Sequence, residues 1–195
     1  NLGYGAAIRT GFAAAAKDLI AFTDADGQFD LQEMNRFQLL ASRYDVVCGY
    51  RIDRQDSWLR CFLSRGFNRL ARFLLGIQVR DIDCAFKVFR REPLRTLPVL
   101  SNGFLVNAEL LHHARVNGLS IVEVGVTHRP RTLGQTTVSM LHMPTVLACL
   151  LRLWWNQIMF PGEGRVRGLT NKRRGITWAL AIAVVAGSLL YLNLS

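Results

Sequence analysis

An alanine-rich segment, an apolar run and an acidic turn follow one another near the start of this chain. Residues 6–17 are rich in alanine, which favours a helix, and residues 19–23 are apolar and of strand length. Asp24-Ala-Asp26-Gly-Gln28 then interrupts the apolar run. Open α/β sheets bind ligands at the carboxyl ends of their strands. The order therefore predicts an α/β domain whose site lies at the acidic turn.

The same alternation continues beyond this turn. Apolar periodicity predicts helices over residues 31–43, 57–75 and 106–117, and strands over 45–49, 84–90 and 121–128. Residues 140–160 are apolar and aromatic with Arg152 among them, which favours an amphipathic helix in a membrane interface. The four cysteines are scattered, without metal-ligand spacing, so we expect free thiols in a reducing compartment.

The acidic turn presents hard oxygen ligands. Asp24 and Asp26, two residues apart, point the same way at a strand end, and a divalent cation relieves their repulsion. Gln28 adds a carbonyl oxygen, so the three residues predict a Mg²⁺ or Mn²⁺ site. A solvated polar turn and a phosphatase-type aspartate remain alternatives. An EF-hand is excluded, because its glycine and glutamate positions hold Phe29 and Asn35.

The positive charge of the chain is concentrated near its end. Of the formal net charge of +10, half lies in residues 152–174, which hold six basic residues and one acidic residue. Residues 175–195 carry no charge and are long enough to span a bilayer as a helix. Basic residues beside an apolar span face the cytoplasm. We therefore predict a membrane anchor with residues 1–174 cytoplasmic; a buried C-terminal helix is the alternative.

Arginine is also abundant in the middle of the chain. Ten arginines and Lys87 lie between Arg51 and Arg95. Arginine favours bidentate phosphate recognition. The aromatic residues among these arginines have the spacing of a helix core rather than of a base-stacking platform, and no nucleic-acid-binding motif is present. We therefore expect no nucleic-acid partner, and many of the arginines to be a solvated helix face.

Several blocks of the sequence resemble, in order, the family 2 glycosyltransferases of the GT-A fold, and most closely those of the dolichol-phosphate mannose synthase type. The blocks begin with Asn1-Leu-Gly-Tyr-Gly-Ala-Ala-Ile-Arg-Thr-Gly11, and continue with Asp24-Ala-Asp26-Gly-Gln28, Gly49-Tyr50-Arg51, Ser64-Arg65-Gly66, Asp81-Ile-Asp-Cys-Ala-Phe-Lys87-Val-Phe-Arg90-Arg91, Glu109, and Glu123-Val-Gly-Val with Arg131-x-x-Gly134. Ala85 and Thr136-Thr137 depart from the family pattern. The resemblance covers residues 1–139 and implies a Rossmann-like nucleotide-diphospho-sugar transferase domain that lacks the family's N-terminal strands.

The resemblance also implies roles for individual residues. It assigns catalysis to Asp24 and Asp26, and metal binding to these two residues with Gln28. Donor binding falls to Gly3, Gly5, Arg9 and Asp24, and binding of the acceptor phosphate to Arg51, Arg65, Lys87 and Arg131. Asp81 and Glu109 are further candidates. Glu109 also has a structural interpretation, because a carboxylate near a helix start is stabilised by the helix dipole.

From these observations we expect a metal-dependent, inverting transferase that moves a sugar from a nucleotide sugar to a polyprenyl phosphate at the cytoplasmic membrane face. The predicted organisation is a catalytic domain over residues 1–139, an interfacial helix and basic segment over 140–174, and one membrane span over 175–195. A fused or partner multi-span membrane transferase would follow the span. A polysaccharide or other non-lipid acceptor, and a catalytically silent scaffold, remain alternatives.

Overall fold

The structure is a computed structural model that describes residues 2–52, 58–103, 105–130 and 143–156. Its helices and strands alternate as the sequence predicts. The helices are α1 (Tyr4–Ala14), α2 (Met34–Ala41, preceded by a 3-10 turn at Leu31–Glu33), α3 (Trp58–Leu75), α4 (Arg91–Arg95), α5 (Val106–Val116) and α6 (Met143–Trp154). The strands are β1 (Leu19–Phe22), β2 (Val46–Ile52), β3 (Lys87–Arg90) and β4 (Ile121–Thr127). The short helix α4 has no counterpart in the predictions.

The four strands form one mixed sheet in the order β1-β3-β2-β4. Strand β3 is antiparallel to both of its neighbours, with Ile20 opposite Phe89 and Val47 opposite Val88. Strands β2 and β4 are parallel. Strands β1, β2 and β4 therefore run in the same direction, and their carboxyl ends meet at one edge, where the acidic turn begins.

Both faces of the sheet are buried. Val46 and Cys48 belong to one apolar cluster, together with residues of α3 and α5, whereas Val47 belongs to a second cluster with residues of α2. Successive strand side chains point to opposite faces. The sheet thus lies between two helical layers, which confirms the predicted α/β class. Because both faces of β2 are covered, its sequence is apolar without interruption from Val46 to Cys48.

Helix α3 corrects one interpretation of the sequence. The aromatic spacing of this helix indicates a core-facing stripe, yet Phe62 and Phe73 are 65% and 63% exposed. Phe67, Leu70 and Leu74 of the stripe do pack against the core. The fully buried residues of the helix are Asn68, Ala71 and Leu75. A small residue lets the helix approach closely, and Asn68 has a hydrogen-bond partner in the interior. The predicted stripe is therefore right for Phe67, Leu70 and Leu74 and wrong for Phe62 and Phe73, which point outward.

The predicted membrane segments are covered only in part by the described residues. Residues 143–154 form α6, in agreement with a helix predicted over 140–160, and Leu150 and Leu153 of this helix are buried. None of the helices within the described residues is both long and apolar enough to cross a bilayer. The predicted span, residues 175–195, lies outside them. The four cysteines are free thiols, as expected.

Two adjacent buried histidines make the stability of the fold depend on pH. Burial, and then the charge of neighbouring His112, lower the pKa of His113 to about 4. Burial also lowers the pKa of His112, whose Nδ1 lies 2.9 Å from the Leu75 carbonyl oxygen. The unfolded chain therefore binds more protons than the folded one between the ordinary histidine pKa of 6.5 and the lowered values.

We expect stability to be full above pH 6.5 and to fall as the pH drops toward 4. His113 alone would account for a loss of about 1–2 kcal/mol between pH 7 and pH 5. Urea unfolding at several pH values measures how the free energy of unfolding changes with pH. His113→Gln is expected to reduce this slope. A slope that is the same with and without His113 would contradict the assignment.

Candidate active site

The acidic turn lies directly after β1, at the edge of the sheet where the parallel strands end. Gly27 has a φ of 72°, which only glycine adopts without strain, so the chain can reverse immediately after Asp26. The backbone N–H of Gln28 donates to Asp26 Oδ1 at 3.2 Å. Asp24 is exposed and Asp26 half-buried. The position of these carboxylates agrees with the prediction from the sequence.

The turn is joined to the end of β4 by reciprocal hydrogen bonds. The Arg129 N–H donates to the Gln28 carbonyl at 2.8 Å, and Gln28 Nε2 donates to the Arg129 carbonyl at 3.0 Å. Arg129 Nη2 also forms an ion pair with Asp30 Oδ2 at 2.7 Å. The amide nitrogen of Gln28 therefore has a structural role, and the chain that leads to Arg131 starts beside the acidic turn. Arg131 itself lies outside the described residues.

Tyr4, which the motif analysis did not single out, belongs to the same site. Its hydroxyl donates to Asp24 Oδ1 in a long contact of 3.4 Å. Burial and the negative charge of Asp24 raise the pKa of Tyr4 well above its ordinary value, so the hydroxyl keeps its proton at neutral pH. Tyr4 lies between the two glycines that open helix α1, and only the fold brings it to Asp24.

The chemistry of the turn fits a divalent cation that also binds substrate. Asp24 and Asp26 supply carboxylate oxygens, and both can be reached from solvent. Within the described part of the chain, no three His, Cys, Asp or Glu side chains form a metal-binding group. Mg²⁺ commonly takes one or two carboxylates and fills its other positions with phosphate oxygens and water. The turn therefore suits an ion that arrives with a diphosphate.

A buried ion pair lies at the carboxyl end of β2, which β3 separates from β1 in the sheet. Asp81 accepts hydrogen bonds from Arg51 Nε at 2.6 Å and from Arg51 Nη2 at 2.8 Å. Both side chains are 10% exposed. Burial alone would lower the pKa of Arg51, but the hydrogen bonds and charge of Asp81 raise it above its ordinary value. This pair fixes a guanidinium at the site edge, with two of its donors bound by Asp81.

Two buried side chains hold the loop that follows Asp81. Asn68 Oδ1 accepts from the Ile82 N–H at 2.7 Å, and Lys87 Nζ donates to the Ile82 carbonyl at 3.0 Å and to the Cys84 carbonyl. Lys87 is fully buried. A direct contact between Lys87 and an acceptor phosphate disagrees with this burial, because carbonyls of the protein already bind its ammonium group. Lys87 instead stabilises the loop, and Asn68 is a residue that the sequence analysis missed.

Glu109, in the first turn of α5, has a comparable structural role. This carboxylate is 1% exposed, and its Oε2 accepts from the N–H groups of Leu100 and Ser101 at 3.1 and 2.8 Å. The geometry thus supports the structural interpretation of Glu109, which anchors the segment 100–102.

The predicted donor-binding residues of α1 all contact this anchored segment. The Gly5 N–H donates to the Asn102 carbonyl at 2.8 Å, and Arg9 Nη1 donates to the Ser101 carbonyl at 2.8 Å. A Cβ on Gly3, whose φ is 95°, would lie 2.6 Å from the Asn102 carbonyl oxygen. Close packing of the backbone explains both glycines, and their contact with a donor stays a prediction. Arg65 lies on the exposed face of α3.

Comparison with known proteins agrees with this geometry. Residues 1–97 match the model described as glycosyl transferase family 2. Polyprenol monophosphomannose synthase of Mycolicibacterium smegmatis is 29% identical over 186 residues, which cover 89% of this chain and 66% of the relative. Dolichyl-phosphate hexose transferase of Haloferax volcanii is 33% identical over 138 residues, 69% of this chain and 60% of the relative.

A third relative, undecaprenyl-phosphate 4-deoxy-4-formamido-L-arabinose transferase of Aeromonas hydrophila, is 33% identical over 142 residues, 66% of this chain and 43% of the relative. Glucosyl-3-phosphoglycerate synthase of Mycobacterium tuberculosis, solved with Mn²⁺, UDP-glucose and glycerol 3-phosphate, aligns with a TM-score of 0.58 at 20% identity over 83% of this chain and 57% of that chain. This likeness shows a GT-A-like fold. The chain spans 43 to 66% of the length of these three curated relatives.

Proposed function

Because this chain belongs to glycosyl transferase family 2, we propose that it transfers a sugar from a nucleotide sugar to a polyprenyl phosphate. The observation that carries the proposal is the shared edge of the sheet, where the carboxylates of the acidic turn follow β1 and the guanidinium of Arg51 lies near the carboxyl end of β2. The names of the three curated relatives, which each specify a polyprenol, dolichyl or undecaprenyl acceptor, support it.

In this proposal the acidic turn binds the donor diphosphate through a divalent cation. Asp24 and Asp26 hold Mg²⁺ or Mn²⁺, with Gln28 as a third oxygen ligand, and solved structures of the same fold contain either ion with UDP. When bound, the ion neutralises charge that develops on the departing nucleoside diphosphate. Tyr4 keeps Asp24 in place through its hydroxyl.

The arginines orient the acceptor. Arg51, Arg65 and Arg131 offset the repulsion between the lipid phosphate and the donor diphosphate. An acceptor phosphate oxygen forms the new bond to the anomeric carbon, and the bond to the diphosphate breaks with its electron pair leaving on the nucleoside diphosphate. The second pKa of a phosphate is about 6, so the attacking oxygen is already ionised at neutral pH and needs no general base. Attack opposite the leaving group inverts the anomeric carbon.

The remaining parts of the chain complete the proposal. Residues 1–139 form the catalytic domain, residues 140–174 lie at the membrane interface, and residues 175–195 span the bilayer, with the catalytic domain on the cytoplasmic side. Continuation into a larger multi-span transferase stays a prediction.

Removal of both turn carboxylates tests the proposal. We expect Asp24→Asn with Asp26→Asn to lower sugar transfer to polyprenyl phosphate at least about tenfold, since the donor diphosphate loses its cation. The measurement is organic-soluble product formed from a panel of nucleotide sugars with Mg²⁺ or Mn²⁺. Asp18→Asn, which alters an exposed carboxylate at the opposite end of β1, is the matched control and is expected to leave the rate unchanged.

Three outcomes would contradict parts of the proposal. Equal rates for the double variant and the unaltered chain would remove the metal assignment. Water-soluble glycosylated product without lipid product would indicate a polysaccharide or other non-lipid acceptor. Absence of nucleotide-sugar binding and turnover in the presence of divalent cations would indicate a silent scaffold.

A further inference from the structure

Three hydrogen-bonded side chains connect the protein interior to the acidic turn. Lys87 Nζ lies 3.5 Å from Asn107 Oδ1, and the Asn107 side chain also hydrogen-bonds the Tyr4 hydroxyl. The Tyr4 hydroxyl in turn lies 3.4 Å from Asp24 Oδ1. Lys87 and Asn107 are buried and Tyr4 is half-buried. Because these residues belong to β3, α5 and α1, only the fold brings together this interior network of Lys87, Asn107 and Tyr4.

The chemistry of the groups sets the direction of each hydrogen bond in the interior network. An ammonium group can only donate, so Asn107 Oδ1 accepts from Lys87. The amide nitrogen of Asn107 is then the group that donates to the Tyr4 oxygen. The phenolic hydrogen is therefore directed away from Asn107 and toward Asp24, whose ionised carboxylate can only accept. The network thus begins at a buried cation and ends at a carboxylate of the acidic turn.

The first member of the network is held firmly in place. Lys87 is fully buried, and its Nζ also donates to the Ile82 carbonyl at 3.0 Å and to the Cys84 carbonyl. These carbonyls belong to the loop that follows Asp81, the partner of Arg51. The Lys87 ammonium therefore has protein partners both in this loop and in Asn107, and it gives the network a fixed starting point.

The last member of the network binds a carboxylate that solvent already reaches. Asp24 is exposed, so water alone could solvate it, and the bond from Tyr4 adds orientation. Asp26 receives a comparable bond from the Gln28 N–H at 3.2 Å. Each carboxylate of the turn thus has one oxygen bound by the protein. Residues that do not touch a metal commonly orient its ligands through such bonds.

We propose that Lys87 and Asn107 set the direction of the Tyr4 hydroxyl, so that the interior network positions Asp24 for the divalent cation. This inference rests on the proposed function, because it assigns these residues a role in the cation site of that reaction. Without the bond from Tyr4, the cation has to immobilise the Asp24 side chain when it binds. Loss of such an outer contact weakens metal affinity about 10- to 100-fold. The Tyr4 contact is long, so we expect about tenfold.

Titration of Mn²⁺ into the full chain tests the proposal, with the free ion measured by electron paramagnetic resonance. UDP, GDP or ADP is present in turn, because the ion also takes diphosphate oxygens. Tyr4→Phe keeps the ring that packs against the core and removes the hydroxyl. We expect this variant to raise the dissociation constant of Mn²⁺ about tenfold. Tyr44→Phe, which removes a hydroxyl before β2 at the opposite end of the sheet, is the matched control and should leave the constant unchanged.

A second substitution tests whether Asn107 acts through Tyr4. Asn107→Leu is of similar size and cannot donate to the Tyr4 oxygen, so we expect it to weaken Mn²⁺ binding by less than about tenfold. In the Tyr4→Phe background the same substitution should have no further effect on Mn²⁺ binding, because the hydroxyl that it would misdirect is absent. Excess Mn²⁺ should restore the rate of sugar transfer in Tyr4→Phe, since this variant keeps both carboxylate ligands.

Each contrary result has a distinct meaning. An unchanged Mn²⁺ affinity in Tyr4→Phe would overturn the positioning role and leave the metal assignment of the turn in place. Additive effects of Asn107→Leu and Tyr4→Phe would show that Asn107 does not act through Tyr4, and would overturn the network. Absence of Mn²⁺ binding in the unaltered chain with all three nucleotides would overturn the metal role in the proposed function, and the positioning role with it.

Discussion

Replacement of Asp81 by alanine is expected to lower the free energy of unfolding by about 3–5 kcal/mol. The Asp81 carboxylate binds the Arg51 guanidinium through two hydrogen bonds of 2.6 and 2.8 Å, and both side chains are almost fully buried. Its loss leaves a positive charge in the interior without its partner. Because Arg51 lies near the carboxyl end of β2 at the site edge, displacement of its guanidinium is also expected to lower sugar transfer.

Urea unfolding followed by circular dichroism measures the effect. Asp81→Asn removes the charge of the side chain but keeps its volume. We expect this variant to lose most of the same free energy of unfolding, because the amide cannot neutralise Arg51. Glu92→Ala is the control, since its 3.8 Å contact with Arg95 lies on the surface and its loss should change stability by about 0.5 kcal/mol or less. Similar stabilities for the Asp81 and Glu92 variants would show that the buried pair is not a stabilising element.

Replacement of Gly5 by alanine is expected to destabilise the protein by about 3 kcal/mol or more. A Cβ at this position would lie 2.0 Å from the Ser101 carbonyl oxygen, far inside contact distance. The backbone there cannot easily retreat, because Glu109 binds the N–H groups of Leu100 and Ser101 and Gly5 itself donates to Asn102.

The same helix provides a control of opposite sign. A Cβ on Gly11 would meet nothing within 4 Å, so Gly11→Ala is expected to stabilise the protein by about 0.5–1 kcal/mol through helix propensity alone. Thermal unfolding of the two variants gives the comparison. If Gly5→Ala were also stabilising, close packing against residues 101–102 would not be the reason for glycine at position 5.

The secondary structure and the place of the site were predictable because both depend on local order along the chain. Alanine content, apolar runs and the acidic turn after a strand predict α1, β1 and the edge where Asp24 and Asp26 lie, and the structure confirms these elements. Burial of consecutive residues in β2 agrees with its apolar sequence, since both faces of that strand are covered.

The partners of charged side chains were not predictable, because they depend on contacts between distant segments. A motif that contains Lys87 does not reveal that carbonyls of the preceding loop bind its ammonium group. The prediction that Phe62 and Phe73 of α3 face the core was wrong for a related reason. Periodicity identifies an apolar stripe, but it does not reveal that Asn68, outside that stripe, is buried against Ile82 while Phe62 and Phe73 are exposed.

The position of β3 in the sheet has a consequence for folding. Strands β1 and β2 are consecutive in the sequence, yet β3 lies between them and pairs with both. Neither strand can complete that pairing until helix α3 and then residues 87–90 have been made, so the central contacts of the sheet close late. During synthesis, the backbone groups of β1 and β2 that later pair with β3 therefore stay unpaired. We expect the chain to be most prone to aggregation in this stage, before β3 has been made.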